Sequence, residues 1–128
     1  MNKKIIATGI VLILIGIILG AFGAHGLKQV VSDQDLLDSF ETGVRYQIYH
    51  GFAFLIFGAT AIREKLGKGL FLTFLIGVLF FSGSIFALVF LNAKEIDFPK
   101  FIAFITPLGG ALLIIAWVFL LINFFRKS

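Results

Sequence analysis

The chain has 128 residues, the length of one domain. Apolar residues make up 59% of it and charged residues only 14%, against about a quarter charged in a soluble domain, so the apolar excess must face lipid. The formal net charge is +4, but Lys and Arg flank apolar runs and form no basic–aromatic patch, which excludes nucleic acid as the expected partner. There are 17 Phe and no Cys, which excludes disulfides, zinc–thiolate sites and iron–sulfur ligation.

The first apolar run, Ile5 to Ala24, is interrupted only by Thr8 and glycines. Lys3, Lys4 and the small residues near Ala21–Ala24 mimic a signal peptide, but the stretch is long for one and reads as a retained span. Further runs follow at Val44–Ile62, Gly69–Leu91 and Phe101–Phe125. Each approaches or exceeds the roughly 20 residues that cross about 30 Å of hydrocarbon. Backbone groups in lipid must be satisfied within the segment, so these runs are expected to be helices. The expected fold is all-α: one domain, 1–128, folded as a four-helix transmembrane bundle with spans of about 5–24, 44–62, 69–91 and 101–125.

Between the first two spans lies the one sizeable polar segment, His25 to Gly43. Ser32 followed by Asp35 resembles a capping box with Asp in place of Glu. Leu36, Leu37, Phe40 and Val44 then share a helical face, with Asp33, Asp35, Asp38 and Glu41 mostly off it. That pattern predicts a short amphipathic helix over about 32–43, lying at the interface and running into the second span. The connections Arg63–Lys68 and Asn92–Lys100 are short, which makes successive spans antiparallel neighbours. No internal repeat supports an inverted-repeat transporter.

With the N-terminus inside, Lys3, Lys4, Arg63, Lys65, Lys68, Arg126 and Lys127 face the cytoplasm, and Lys28, Arg45, Lys94 and Lys100 face outward. Seven basic residues against four predict both termini in the cytoplasm. Trp117, roughly 24 Å into the last span, is then expected near the inner interface.

Gly16 and Gly20 form a GxxxG pair, with Gly23 beyond. In lipid such residues let backbones approach closely, either within the bundle or in a homo-oligomer. Polar residues are expected to converge in the outer half of the membrane. His50 falls near the outer end of the second span, Ser82 and Ser84 roughly 10–14 Å deep in the third, and Thr106 and Pro107 roughly 8–9 Å into the fourth. Pro107 frees the carbonyl of Ala103, and Gly109 and Gly110 follow it closely. These residues predict either a small polar pocket open to the outside or a hydrogen-bonded core that locks the bundle. Ionisable residues within spans usually face the bundle interior and mark functional sites, which singles out His50, one turn beyond Tyr46. Glu41 and Arg45 form another i,i+4 pair. Tyr46, Tyr49 and Arg45 also fit a role as interfacial anchors. His25 and His50 invite a bis-histidine haem, but two His alone make an incomplete metal site. Gly20-Ala-Phe-Gly-Ala-His-Gly26 is not GxGxxG and follows a membrane helix, and no HExxH or serine triad spacing occurs. No catalytic residue, metal site or cofactor is therefore expected.

The segments Gly20-Ala-Phe-Gly-Ala-His-Gly-Leu-Lys28, Phe40-Glu-Thr-Gly-Val-Arg-Tyr-Gln-Ile-Tyr-His50, Phe81-Ser-Gly-Ser-Ile-Phe86, and Ile105-Thr-Pro-Leu-Gly-Gly110 with Ala116-Trp117 resemble the YgdD-like family. These are small four-span bacterial inner-membrane proteins with eukaryotic relatives. The resemblance covers nearly the whole chain in order and implies a four-helix membrane fold and a plasma-membrane location, but no activity. Its motif positions His25, Thr42, Gly43, Tyr46, Gln47, His50, Ser82, Gly83, Ser84, Thr106, Pro107 and Gly109 overlap the polar cluster. The resulting expectation is a non-enzymatic membrane protein. Its ligand-binding residues are His25, Arg45, Tyr46, Gln47, His50, Ser82, Ser84, Thr106 and Pro107, and its packing residues are Gly16, Gly20, Gly23, Gly109 and Gly110. The lipid bilayer, a lipid or small amphipathic ligand, a second copy or a partner helix are the expected partners. The alternatives are an oligomeric transporter or channel subunit, a haem-associated subunit, and a purely structural protein.

Overall fold

The computed structural model describes residues 1–97 and 99–126; Lys127 of the charge count and Phe98 of the last connection lie outside them. Four long helices make up the described chain. Helix α1 spans Lys3–Val30, passing through one π turn at Gly23–Leu27. Asn2 caps it: its side-chain oxygen accepts from the Ile5 amide at 3.1 Å, and its own amide donates to the Gly58 carbonyl at 2.8 Å. Helix α2 spans Gln34–Ala59, α3 Ile62–Ala93 and α4 Lys100–Phe125. The α2 cap is Asp33, whose carboxylate accepts from the Asp35 amide at 2.9 Å and the Leu36 amide at 3.4 Å, rather than the expected Ser32. Asp33 wins because its side chain reaches the first free amides of a helix that starts one residue later than Ser32 would require.

The connections are shorter than the sequence suggests. Instead of a polar stretch from His25 to Gly43, only Val31–Asp33 lie between α1 and α2. Residues 34–43 form the first turns of α2, continuous with the rest of it. Their apolar residues Leu36, Leu37 and Phe40 pack against Leu27, Val31, Ile85 and Val89. The expected loop Arg63–Lys68 is the start of α3, broken at Gly67, whose φ of 67° and ψ of 165° lie in a region essentially reserved for glycine.

Helices α1, α3 and α4 are each long and apolar enough to cross a membrane. Helix α2 is not among them, because Asp35, Asp38, Glu41, Arg45, Gln47 and His50 dilute its apolar residues. It runs antiparallel beside α1 from the Asn2–Gly58 contact to the Gly23–Phe40 contact. Large apolar residues such as Ile10, Ile17, Ile114 and Leu121 stand exposed on the outer faces of α1 and α4, as lipid-facing positions require.

Two apolar clusters fill the bundle. One gathers Ile5, Leu12, Phe54, Phe57, Leu66, Phe74, Val78, Leu113, Ala116 and Leu120; the other gathers Leu27, Val31, Phe40, Val44, Ile85 and Val89. Close backbone approach at two points draws the helices together. A Cβ on Gly51 would lie 2.9 Å from the Gly9 carbonyl oxygen, and one on Gly109 would lie 2.8 Å from the Phe80 carbonyl carbon. Only a residue without a side chain fits either crossing.

Candidate functional site

The buried polar side chains lie between the two apolar clusters. On α2, Gln47 and His50 fall between Val44 and Phe54; on α3, Ser82 and Ser84 fall between Val78 and Ile85. This layer sits near mid-helix, which corrects the expected placement of His50 at an outer end. Depth counted from Val44 is misleading because α2 begins ten residues earlier, at Gln34.

Each polar group in the layer has a partner on another helix or on its own backbone. Gln47 Nε2 donates to the Leu12 carbonyl on α1 at 2.9 Å. Ser82 Oγ donates to the Gly43 carbonyl on α2 at 2.7 Å. The Ser84 hydroxyl donates 3.1 Å to its own helix's Phe81 carbonyl or pairs with the Thr106 hydroxyl on α4. Trp117 Nε1 on α4 donates to His50 Nε2 at 3.1 Å, and His50 Nδ1 lies 2.7 Å from the Tyr46 carbonyl. An indole N–H only donates and a carbonyl only accepts, so this pattern assigns a neutral imidazole with its proton on Nδ1. Trp117 is thus level with His50, packed edge-on against Phe57 and Phe74 at ring-centroid distances of 5.7 Å and 4.9 Å. Among the described residues no buried side-chain nitrogen or oxygen lacks a hydrogen-bond partner. Gln47, Ser82, the Ser84–Thr106 pair and the His50–Trp117 pair join helices, while His50 Nδ1 is held by the backbone of its own helix.

Open space lies beside the layer. A groove of about 230 Å³ between α1 and α2 is lined by Gly20, Gly23, Ala24, Phe40, Glu41, Val44 and Arg45. A second, of about 350 Å³, is lined by Tyr46, His50, Phe81, Gly110, Leu113, Ile114 and Trp117. The predicted residues therefore divide. Arg45, Gly20 and Gly23 share the first groove with Glu41, while Tyr46, His50 and Gly110 share the second. Gln47, Ser82, Ser84 and Thr106 point between helices. Gly16 faces Ile48, and Gly109 lies on the backbone of α3.

Two of the predicted ligand-binding residues fall outside any shared site. Pro107 is exposed on α4, which runs through it as continuous helix. His25 is exposed on the π turn, about 20 Å along α1 from Leu12, which stands level with Gln47. That separation removes the bis-histidine haem geometry, since helix α1 holds His25 far from His50. Among the described residues no group of three His, Asp or Glu is placed to hold a metal ion. Trp117, Gly9 and Gly51 were not singled out as site or packing residues by the sequence. They lie on three different helices, and each acquires its role only from a partner on another helix once the helices are docked.

Comparison with known proteins places this geometry in a family. Residues 19–110 match the family described as protein of unknown function (DUF423). The chain is 37% identical over 111 residues to a UPF0382 membrane protein of Haemophilus influenzae, covering 86% of this chain and 84% of the relative. It is 40% identical over 111 residues to a UPF0382 membrane protein of Staphylococcus aureus, covering 84% and 83%. Against a UPF0382 membrane protein of Staphylococcus haemolyticus it is 35% identical over 126 residues, 97% of each chain. No solved structure matches. With three lipid-compatible helices and these relatives, the chain is an integral membrane protein that belongs to the family of unknown function DUF423.

Proposed function

We propose that the protein is a non-enzymatic component of the bacterial cytoplasmic membrane, crossing it four times with both termini inside, and that its α1–α2 groove holds a lipid-like amphipathic ligand. The observation that carries this reading is the groove's lining. Gly20, Gly23 and Val44 offer an apolar wall for a chain, and Glu41 and Arg45, one turn apart, offer charges to a polar head. Four crossings are supported by α2 lying alongside α1 over most of its length, so that a bilayer burying α1 also covers the paired part of α2. Lys3, Lys4, Arg63, Lys65, Lys68 and Arg126 gather at the end that this topology puts inside.

Native mass spectrometry of the protein in mild detergent tests the ligand. A co-purifying lipid retained by wild type and lost by both Arg45→Ala and Gly20→Leu is the expected result. A lipid kept by both variants, or dimers disrupted by them in its place, refutes it. A C-terminal reporter active only outside the membrane refutes the orientation.

A second reading has its own observation. That no fully buried side-chain nitrogen or oxygen among the described residues lacks a partner favours a structural protein whose polar residues only lock the bundle. That reading predicts that His50→Ala and Ser84→Ala change stability and leave bound lipid unchanged. The transporter reading has less support, because apolar clusters fill the bundle on both sides of the polar layer.

A further inference from the structure

A third groove lies at the opposite end of the α1–α2 pair from Arg45. Its volume is about 360 Å³, and it is walled by the start of α1 and the first turns of α3. Lys4, Arg63 and Lys68 supply three cations, Ile5, Phe71 and Leu72 supply an apolar floor, and no carboxylate is among its lining residues. Basic residues at a membrane boundary ordinarily point outward into water or lipid headgroups singly. Here they converge, and the backbone explains why. Gly67 breaks α3 with a positive φ that admits little but glycine, although a Cβ there would meet nothing within 4 Å. The glycine is therefore needed for the shape of the turn and not for space. Before the turn, Arg63 and Lys65 stand two residues apart and point different ways. Lys65 turns away, its Nζ donating to the Arg126 carbonyl at 2.8 Å, while Arg63 and Lys68 face the groove with Lys4. Arg63 spends one of its five N–H groups on the Thr60 carbonyl at 2.6 Å, which fixes the guanidinium and leaves other donors for an anion.

We infer that this groove is a binding site for the headgroup of an anionic phospholipid, with the phosphate among Lys4, Arg63 and Lys68 and an acyl chain along Ile5, Phe71 and Leu72. Charge complementarity selects an anion over a neutral lipid. The apolar floor beneath the cations selects a lipid over a free anion.

The test is a native mass spectrometric titration of the delipidated full chain in mild detergent, with phosphatidylglycerol and with phosphatidylcholine of the same acyl chains. At about fivefold per basic side chain, the first phosphatidylglycerol should bind about a hundredfold tighter than phosphatidylcholine. Combining Lys4→Ala, Arg63→Ala and Lys68→Ala should erase that preference. The charge-matched set Lys28→Ala, Lys94→Ala and Lys100→Ala, all outside this groove, should keep it. Equal binding of the two lipids by wild type overturns the inference without need of any variant. So does equal loss in both triple variants, which reports charge in bulk, and so does displacement of the lipid by millimolar inorganic phosphate, which reports a soluble-anion site.

Discussion

Gly109 and Gly110 are adjacent in sequence, and the packing of α3 on α4 gives them opposite expectations on substitution by alanine. A Cβ on Gly109 would lie 2.8 Å from the Phe80 carbonyl carbon and closer still to the Phe81 nitrogen. An unstrained carbon contact needs about 3.5–4.0 Å, so the two helices must part by about 1 Å. These neighbours are backbone, which cannot rotate aside as a side chain can. A radial gap of that size forfeits about a quarter to a half of each dispersion contact along the seam. Overpacking of this kind costs about 1–3 kcal/mol. A Cβ on Gly110 would instead meet the Phe81 ring at 3.5 Å, an ordinary contact. Gly110→Ala should be neutral or stabilise by up to about 1 kcal/mol through helix propensity. Reversible unfolding in mixed detergent and dodecyl sulfate micelles, followed by circular dichroism, measures both. Equal stability of the two variants would refute the close α3–α4 crossing.

Trp117 is the only tryptophan, so its fluorescence reports its hydrogen bond to His50 directly. His50→Leu should shift the emission to the blue by removing the acceptor, and an unchanged spectrum would contradict the contact. Nitrogen-15 spectra of the imidazole at neutral pH should show a neutral ring protonated on Nδ1; the opposite tautomer would rule out Trp117 as donor. Gln47→Leu deletes the donor to the Leu12 carbonyl and should cost about 0.6 kcal/mol, and at most about 1.7, in the same unfolding assay. Gly67→Ala should destabilise by about 1–3 kcal/mol from backbone strain alone, because a Cβ there meets no neighbour; a stable variant would mean that the break in α3 can relax.

What the sequence determines by itself is what each helix must do with its surroundings. An apolar run of some twenty residues has to close its hydrogen bonds locally, so α1, α3 and α4 are legible without any partner. The polar residues His50, Ser82, Ser84 and Thr106 stand out for the same reason, since each would be costly facing lipid. Tertiary structure decides everything that depends on register between helices. The sequence reads residues 32–43 as a separate amphipathic helix leading into a span that starts at Val44, whereas Leu36, Leu37 and Phe40 pack against Val31 and Val89 and one continuous helix begins at Gln34. That single shift moves His50 from an expected outer end to beside Trp117 near mid-helix. Gln47, Ser82 and the His50–Trp117 pair form hydrogen bonds between helices, which matches the hydrogen-bonded core that the sequence offered beside an outer pocket. The GxxxG pair at Gly16 and Gly20 is visible in the sequence, but it is at Gly9 and Gly51 that an added side chain would strike the backbone of the other helix. A glycine's neighbour across an interface is set by crossing angle and rotation, and neither is written along one strand of sequence. The same holds for the cationic groove: Lys4, Arg63 and Lys68 read separately as interfacial charges, and only the turn at Gly67 brings them to one place.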